Sequence, residues 1–119
     1  MTMVKQQLDY LVTVTEQAGI SATLDPPRVV PPGAWIAARR LDDTSLCGRH
    51  SIIADIFLIT RDTGILPALE SLDTLLETLL NALDEDDSIE VTDSALDESV
   101  TLPHGAAPLP AYRIQVSIS

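Results

Sequence analysis

The stretch His50-Ser51-Ile52-Ile53-Ala54-Asp55-Ile56-Phe57-Leu58-Ile59-Thr60, followed after a short gap by Leu66-Pro67-Ala68-Leu69-Glu70, decides the architecture of this chain. Side chains alternate along an extended backbone, so Ile52, Ala54, Ile56 and Leu58 face one way and Ile53, Asp55, Phe57 and Ile59 the other. Both faces are mostly apolar, which predicts a central strand covered on both sides. Downstream, Leu66, Leu69, Leu72, Leu75, Leu76, Leu79, Leu80 and Leu83 recur at helical spacing over residues 66–83. Pro67 falls in the first turn, where a missing N–H is tolerated. These leucines cover about half of the helix circumference, whereas a helix lying on a sheet needs a stripe of only about 100°. The surplus predicts a second contact, either with the helix at the start of the chain or with a neighbouring subunit. Leu72, Leu76 and Leu79 are expected at the centre of the buried face.

Upstream, the apolar stretches 34–41 and 50–60 enclose Asp42-Asp43-Thr44-Ser45-Leu46-Cys47-Gly48, a run of turn formers. This predicts a β-hairpin with a long tip. Residues 3–18 read as a helix with Val4, Leu8, Leu11, Val12 and Ala18 on one face, closed by Gly19 as a C-cap. Ile20, Ala22 and Leu24 alternate with Ser21, Thr23 and Asp25 as a short strand, stopped by Pro26 and Pro27. Residues 84–99 hold eight acids and no base, and read as a solvated acidic loop containing a short strand at Ile89 and Val91. A proline-rich connector spans 103–110. The chain then closes on Tyr112, Ile114, Val116 and Ile118 alternating with Arg113, Gln115, Ser117 and Ser119, a strand with one face on the core. The expected fold is α+β: one domain, residues 1–119, with two helices packed on a mixed, mostly antiparallel sheet and a long β-hairpin.

Composition narrows the function classes. Eighteen acids against seven bases give a net charge of −11 over 119 residues. Tight binding to nucleic acid or to an anionic membrane needs a basic surface, so neither is expected as a partner. No apolar run approaches the roughly 20 residues that cross a bilayer. The N-terminus lacks a basic segment followed by an apolar block, so no signal peptide is expected, and the site of action reads as cytoplasmic. The lone Cys47 cannot form an intrachain disulfide or a cysteine-based zinc site.

Catalytic constellations fare poorly. A triad would need His50 or His104 near a nucleophile and an acid, but His50 and Ser51 point to opposite faces of a strand and His104 sits among prolines. A calcium loop starting at Asp84 would want Gly at its sixth position and Glu at its twelfth; the chain offers Ile89 and Ala95. Neither a phosphate-cradling glycine loop nor an HExxH pair is present. The expectation is a protein without catalytic, metal or cofactor residues. Arg28, Arg39, Arg40 and Arg49 are the only basic concentration. Around the hairpin tip, Arg39, Arg40, Asp42, Asp43, Leu46 and Arg49 form a candidate subunit interface, with pairing of the arginines to Asp42 and Asp43 inside the chain as the plainer reading. The acids Asp84, Glu85, Asp86, Asp87, Glu90, Asp93, Asp97 and Glu98 form a candidate charged surface or lumen.

The whole-chain pattern resembles the tail terminator proteins of long-tailed, lambda-like phages. It has an opening helix, a long hairpin, the junction from Asp55-Ile56-Phe57-Leu58-Ile59-Thr60 into Leu66-Pro67-Ala68-Leu69-Glu70, and a final strand Ala111-Tyr112-Arg113-Ile114-Gln115-Val116-Ser117-Ile118. The resemblance is architectural and carries no diagnostic motif. It implies a homomeric ring, usually a hexamer, that stops growth of the tail tube and joins the tail to the head connector or neck protein. DNA would pass as cargo without tight binding. The implied location is the virion tail near the head–tail junction, after assembly in the host cytoplasm. Alternative readings are another neck, head-closure or minor tail protein, and an acidic DNA mimic or regulatory binding protein.

Overall fold

The computed structural model describes residues 3–42, 51–61, 64–103 and 107–118. Helix α1 (Met3–Gln17) leads into β1 (Ala22–Thr23), a 3-10 turn (Pro26–Arg28), β2 (Gly33–Asp42) and β3 (Ser51–Ile59). Helix α2 (Ile65–Asp84), β4 (Ile89–Val100) and β5 (Leu109–Ile118) follow. The strands form one sheet in the order β1-β2-β3-β5-β4. The short β1 runs parallel to β2, and every other neighbouring pair is antiparallel. This is the expected α+β fold, and the long hairpin is the β2–β3 pair.

β3 is the middle strand, and its two apolar faces meet two cores. On the helix side, Ala54, Ile56 and Leu58 pack with Ala34 and Ile36 of β2, with Tyr112, Ile114 and Val116 of β5, and with Leu11, Leu72, Leu79 and Leu83 of the helices. On the reverse side, Ile59 joins Val29, Val100, Leu102 and Ala111, with Trp35 and Phe57 packed against them. The Trp35 and Phe57 rings are stacked with centroids 5.1 Å apart. Cover on the reverse side thus comes partly from connecting segments, through Val29 and Leu102, instead of a second helical layer.

Local chemistry sets the helix ends. Gly19 adopts φ +94°, donates its N–H to Glu16, and Ile20 donates to Thr15. This double bond pattern is the left-handed glycine cap, and it turns buried Ile20 into the core. At the other end of the connection, a Cβ on Gly33 would meet the carbonyl oxygen of Val30 at 2.8 Å and that of Ser21 at 3.1 Å. Only glycine lets β2 start there, beside the Ala34-to-Ser21 backbone bond.

Along α2, Ala68, Leu72, Leu79 and Leu83 are buried, while Leu75 and Leu76 are partly buried against the same core. Leu76 is thus flanking and not central. The second contact expected from the wide leucine face is made by α1, but it does not reach the first turn, where Leu66 is 71% exposed.

The acidic segment differs most from expectation. Residues 89–100 are not a short strand within a loop but one twelve-residue strand paired along β5. Its register slips between Val91 and Asp93 and again between Ala95 and Glu98. Each slip inserts residues and resets the inside–outside alternation, so no two-residue period survives in the sequence. β5 likewise begins at Leu109, inside the stretch expected as connector; Pro110 is accommodated as the second residue of the strand.

Substitution at the fully buried Leu79 tests this packing. Leu79→Ala should lower unfolding stability by roughly 2–5 kcal/mol, whereas Leu66→Ala should stay within about 0.5 kcal/mol of wild type. Urea unfolding of both variants gives the comparison.

Candidate assembly surface

Because β4 is the outermost strand, its acids line one edge of the sheet. Glu90 and Asp93 are exposed, Glu98 is half-buried, and Asp97 occupies a backbone position within the second bulge. Asp84 ends α2, and exposed Glu85 and Asp87 follow it in the turn to β4. Arg113 of β5 lies beneath this edge. Its Nη2 sits 3.6 Å from Asp93 Oδ2 and its Nε 3.4 Å from Glu98 Oε1. The Nε contact is an ion pair without hydrogen-bond alignment. One cation therefore ties together the two bulged portions of β4, which backbone pairing alone holds less well.

On the opposite half of the sheet, β2 is also bulged, between Ala38 and Arg40. Nη1 of Arg39 donates to Oδ2 of Asp55 at 3.1 Å. Asp55 is buried, and among the described residues its other carboxylate oxygen meets no hydrogen-bond donor. The charge is held in place because Arg39 compensates it, a balance in which removing one partner is costly. Of the candidate interface residues, Arg39 is thus engaged within the chain, Arg40 is exposed, and Asp42 ends β2. Asp43, Leu46 and Arg49 of the hairpin tip lie outside the described residues, as do Cys47, His50 and His104.

The turn after α2 is fastened to α1. The Tyr10 hydroxyl donates to Asp86 Oδ2, while Asp86 Oδ1 accepts from the Ser88 N–H at 2.9 Å and the Ser88 hydroxyl at 2.6 Å. The Ser88 hydroxyl, then Tyr10, hold the Asp86 carboxyl below its ordinary range. The same bond to Asp86 raises the Tyr10 phenol. Asp86 therefore fixes this turn, as Asp93 and Glu98 help to fix β4 through Arg113.

A shallow apolar groove of about 210 Å³ opens between the start of α2 and the β4–β5 pair. Ile65, Ala68, Leu69 and Leu72 supply one wall, Leu96 the other, and Tyr112 part of the floor. Ile65 is 80% exposed and Leu96 56%. The Tyr112 hydroxyl donates to Asp73 at 3.2 Å, and burial first, then the Asp73 charge, raises that phenol. Leu96 escaped the sequence reading because the bulge beside it hides its strand phase. Asp55 and Arg113 did carry a signal: each is a lone charge in an otherwise apolar or alternating strand.

Among the described residues, no group of three His, Cys, Asp or Glu side chains gathers as a metal site, and no helix is long and apolar enough to cross a membrane. No protein-family model matches the chain, and no curated protein matches its sequence.

The Tyr10–Asp86–Ser88 link gives a pH signature. The lowered Asp86 pKa means that its contribution is present above the unfolded value near pH 4 and is lost as pH falls through the folded value. The raised Tyr10 pKa means that its contribution is present up to about pH 10 and is lost above it. Tyr10→Phe should melt below wild type at pH 7, with the gap narrowing below about pH 4. Thermal melts from pH 2 to pH 7 read this directly; a constant gap means that the contact contributes nothing through charge.

Proposed function

We propose that this chain is a structural subunit whose work is to assemble with other protein chains. The observation that carries this reading is the uncovered start of α2, where Ile65, Leu66 and Leu69 stand exposed next to Leu96. Scattered surface leucines are ordinary, but a contiguous apolar patch with a polar rim marks a contact surface.

Within that class, the reading we favour is a tail terminator of a long-tailed phage: a ring, usually of six, that ends the tail tube and meets the head connector or neck protein. Its support is the architecture on which the resemblance rests, namely two helices on a mostly antiparallel sheet with a long β2–β3 hairpin. The alternative of an acidic regulatory or DNA-mimicking binding protein draws on a different observation. α2 and β4 are neighbours and together hold eight acids and no base. A chain that stays monomeric under every condition and captures a nucleic-acid-binding protein, with duplex DNA competing, would favour that alternative.

Charge decides how the ring would behave. Six copies at −11 each total −66, and such like charges oppose association over a Debye length of about 10 Å at 0.1 M salt. Sedimentation should show association that strengthens with added salt or magnesium, and duplex DNA should not co-sediment at moderate salt. Association that weakens as salt rises, or DNA binding at moderate salt, would overturn this electrostatic account.

The hairpin tip supplies a second test. Deleting residues 43–48 should leave the melting temperature close to wild type while impairing ring or tail formation, seen by electron microscopy. Normal assembly by the shortened chain would remove the tip from the interface.

A further inference from the structure

We infer that the groove between the start of α2 and the β4–β5 pair is a docking site for a basic segment of a partner protein. That segment seats one large apolar side chain in the groove and places Lys or Arg against the surrounding acids. The inference does not depend on the ring reading.

The groove suits a side chain better than a metabolite. Its volume of about 210 Å³ falls below the roughly 300–1,000 Å³ typical of small-molecule sites. Its lining is apolar, from Ile65, Ala68, Leu69, Leu72 and Leu96, with Glu98 the charged group at its rim. Ala68 and Leu72 are already buried beneath, while Ile65 and Leu96 stand up on either side. An inserted aliphatic or aromatic group would therefore remove exposed apolar surface on both walls without opening the core.

Charge selects the occupant. Glu98 lines the groove, Asp73 accepts from the Tyr112 hydroxyl beside it, Glu70 follows directly on the α2 wall at Leu69, and neither α2 nor β4 carries a base. Arg113 offsets Asp93 and Glu98 in part. A second copy docking through the same face would set these acids against their own counterparts. The β4 edge is also bulged twice and acidic, two devices that discourage strand-to-strand pairing between copies. A basic chain meets the opposite field, and the complementary charge speeds encounter and sets register.

The test uses the full-length chain and three labelled peptides, read by fluorescence anisotropy. The first carries four Lys residues around a central Phe, the second has Ser in place of Phe, and the third has Glu in place of every Lys. The first should bind at least tenfold more tightly than either of the others. Leu96→Glu should weaken it at least tenfold although it adds a negative charge, and Ile65→Gln should weaken it without changing charge. Both sites are exposed, so both variants should melt like wild type. Equal binding of the Phe and Ser peptides, or tighter binding to Leu96→Glu, would show charge attraction alone and overturn the inference. So would sedimentation showing self-association that Leu96→Glu abolishes, because the occupant would then be a second copy. Rings that persist in Leu96→Glu while the peptide is lost would separate this site from the ring contacts.

Discussion

The burial of β3 on both faces is the constraint from which the other placements follow. Burying apolar surface is worth roughly 25 cal/mol per Å², and neither face of this strand can be left in water. β2 and β5 flank it and extend the apolar surface on the helix side. α1 and α2 cover that surface, while Val29, Leu102 and the Trp35–Phe57 stack cover part of the reverse. The one carboxylate in the strand, Asp55, is retained because Arg39 reaches it from the β2 bulge.

With β3 and β5 occupying the interior, the acid-rich β4 is left the edge. That position suits its composition. Four acids in a central strand would face desolvation with few partners, whereas at an edge they keep water on one side. The cost is irregular pairing, and Arg113 offsets it by holding Asp93 and Glu98 across the two bulges. The opposite edge is blunted differently, by a β1 of only two residues that covers just the start of β2.

Edge acidity and the uncovered start of α2 are the two surface features on which the proposed assembly role rests. In the proposed reading, like charge would hold copies apart until salt, a cation or a template offsets it, and the apolar groove would give a complementary partner a reason to stay. A scaffold subunit at the end of a tube needs both properties, since it must neither polymerise freely nor remain alone.

Periodicity alone determined the two helices, the hairpin, the central place of β3 and the final strand. Each is a regular element whose hydrophobic pattern repeats with the backbone, and Gly19 was legible as a cap because its left-handed φ disfavours other residues. The sequence also set the charge that opposes nucleic-acid binding. Tertiary structure decided what lacks a period. β4 is a strand because β5 offers it an edge, despite bulges that scramble its alternation. Leu76 is flanking and Leu66 exposed because α1 and the sheet reach only part of a leucine face whose residues look alike in sequence. The Arg39–Asp55 pair, the Arg113 bridge and the groove beside Leu96 join residues far apart along the chain. Such contacts arise from sheet order and register, which are properties of the folded whole; a lone charge in a strand, as at Asp55 or Arg113, marks one member of a pair but not its partner.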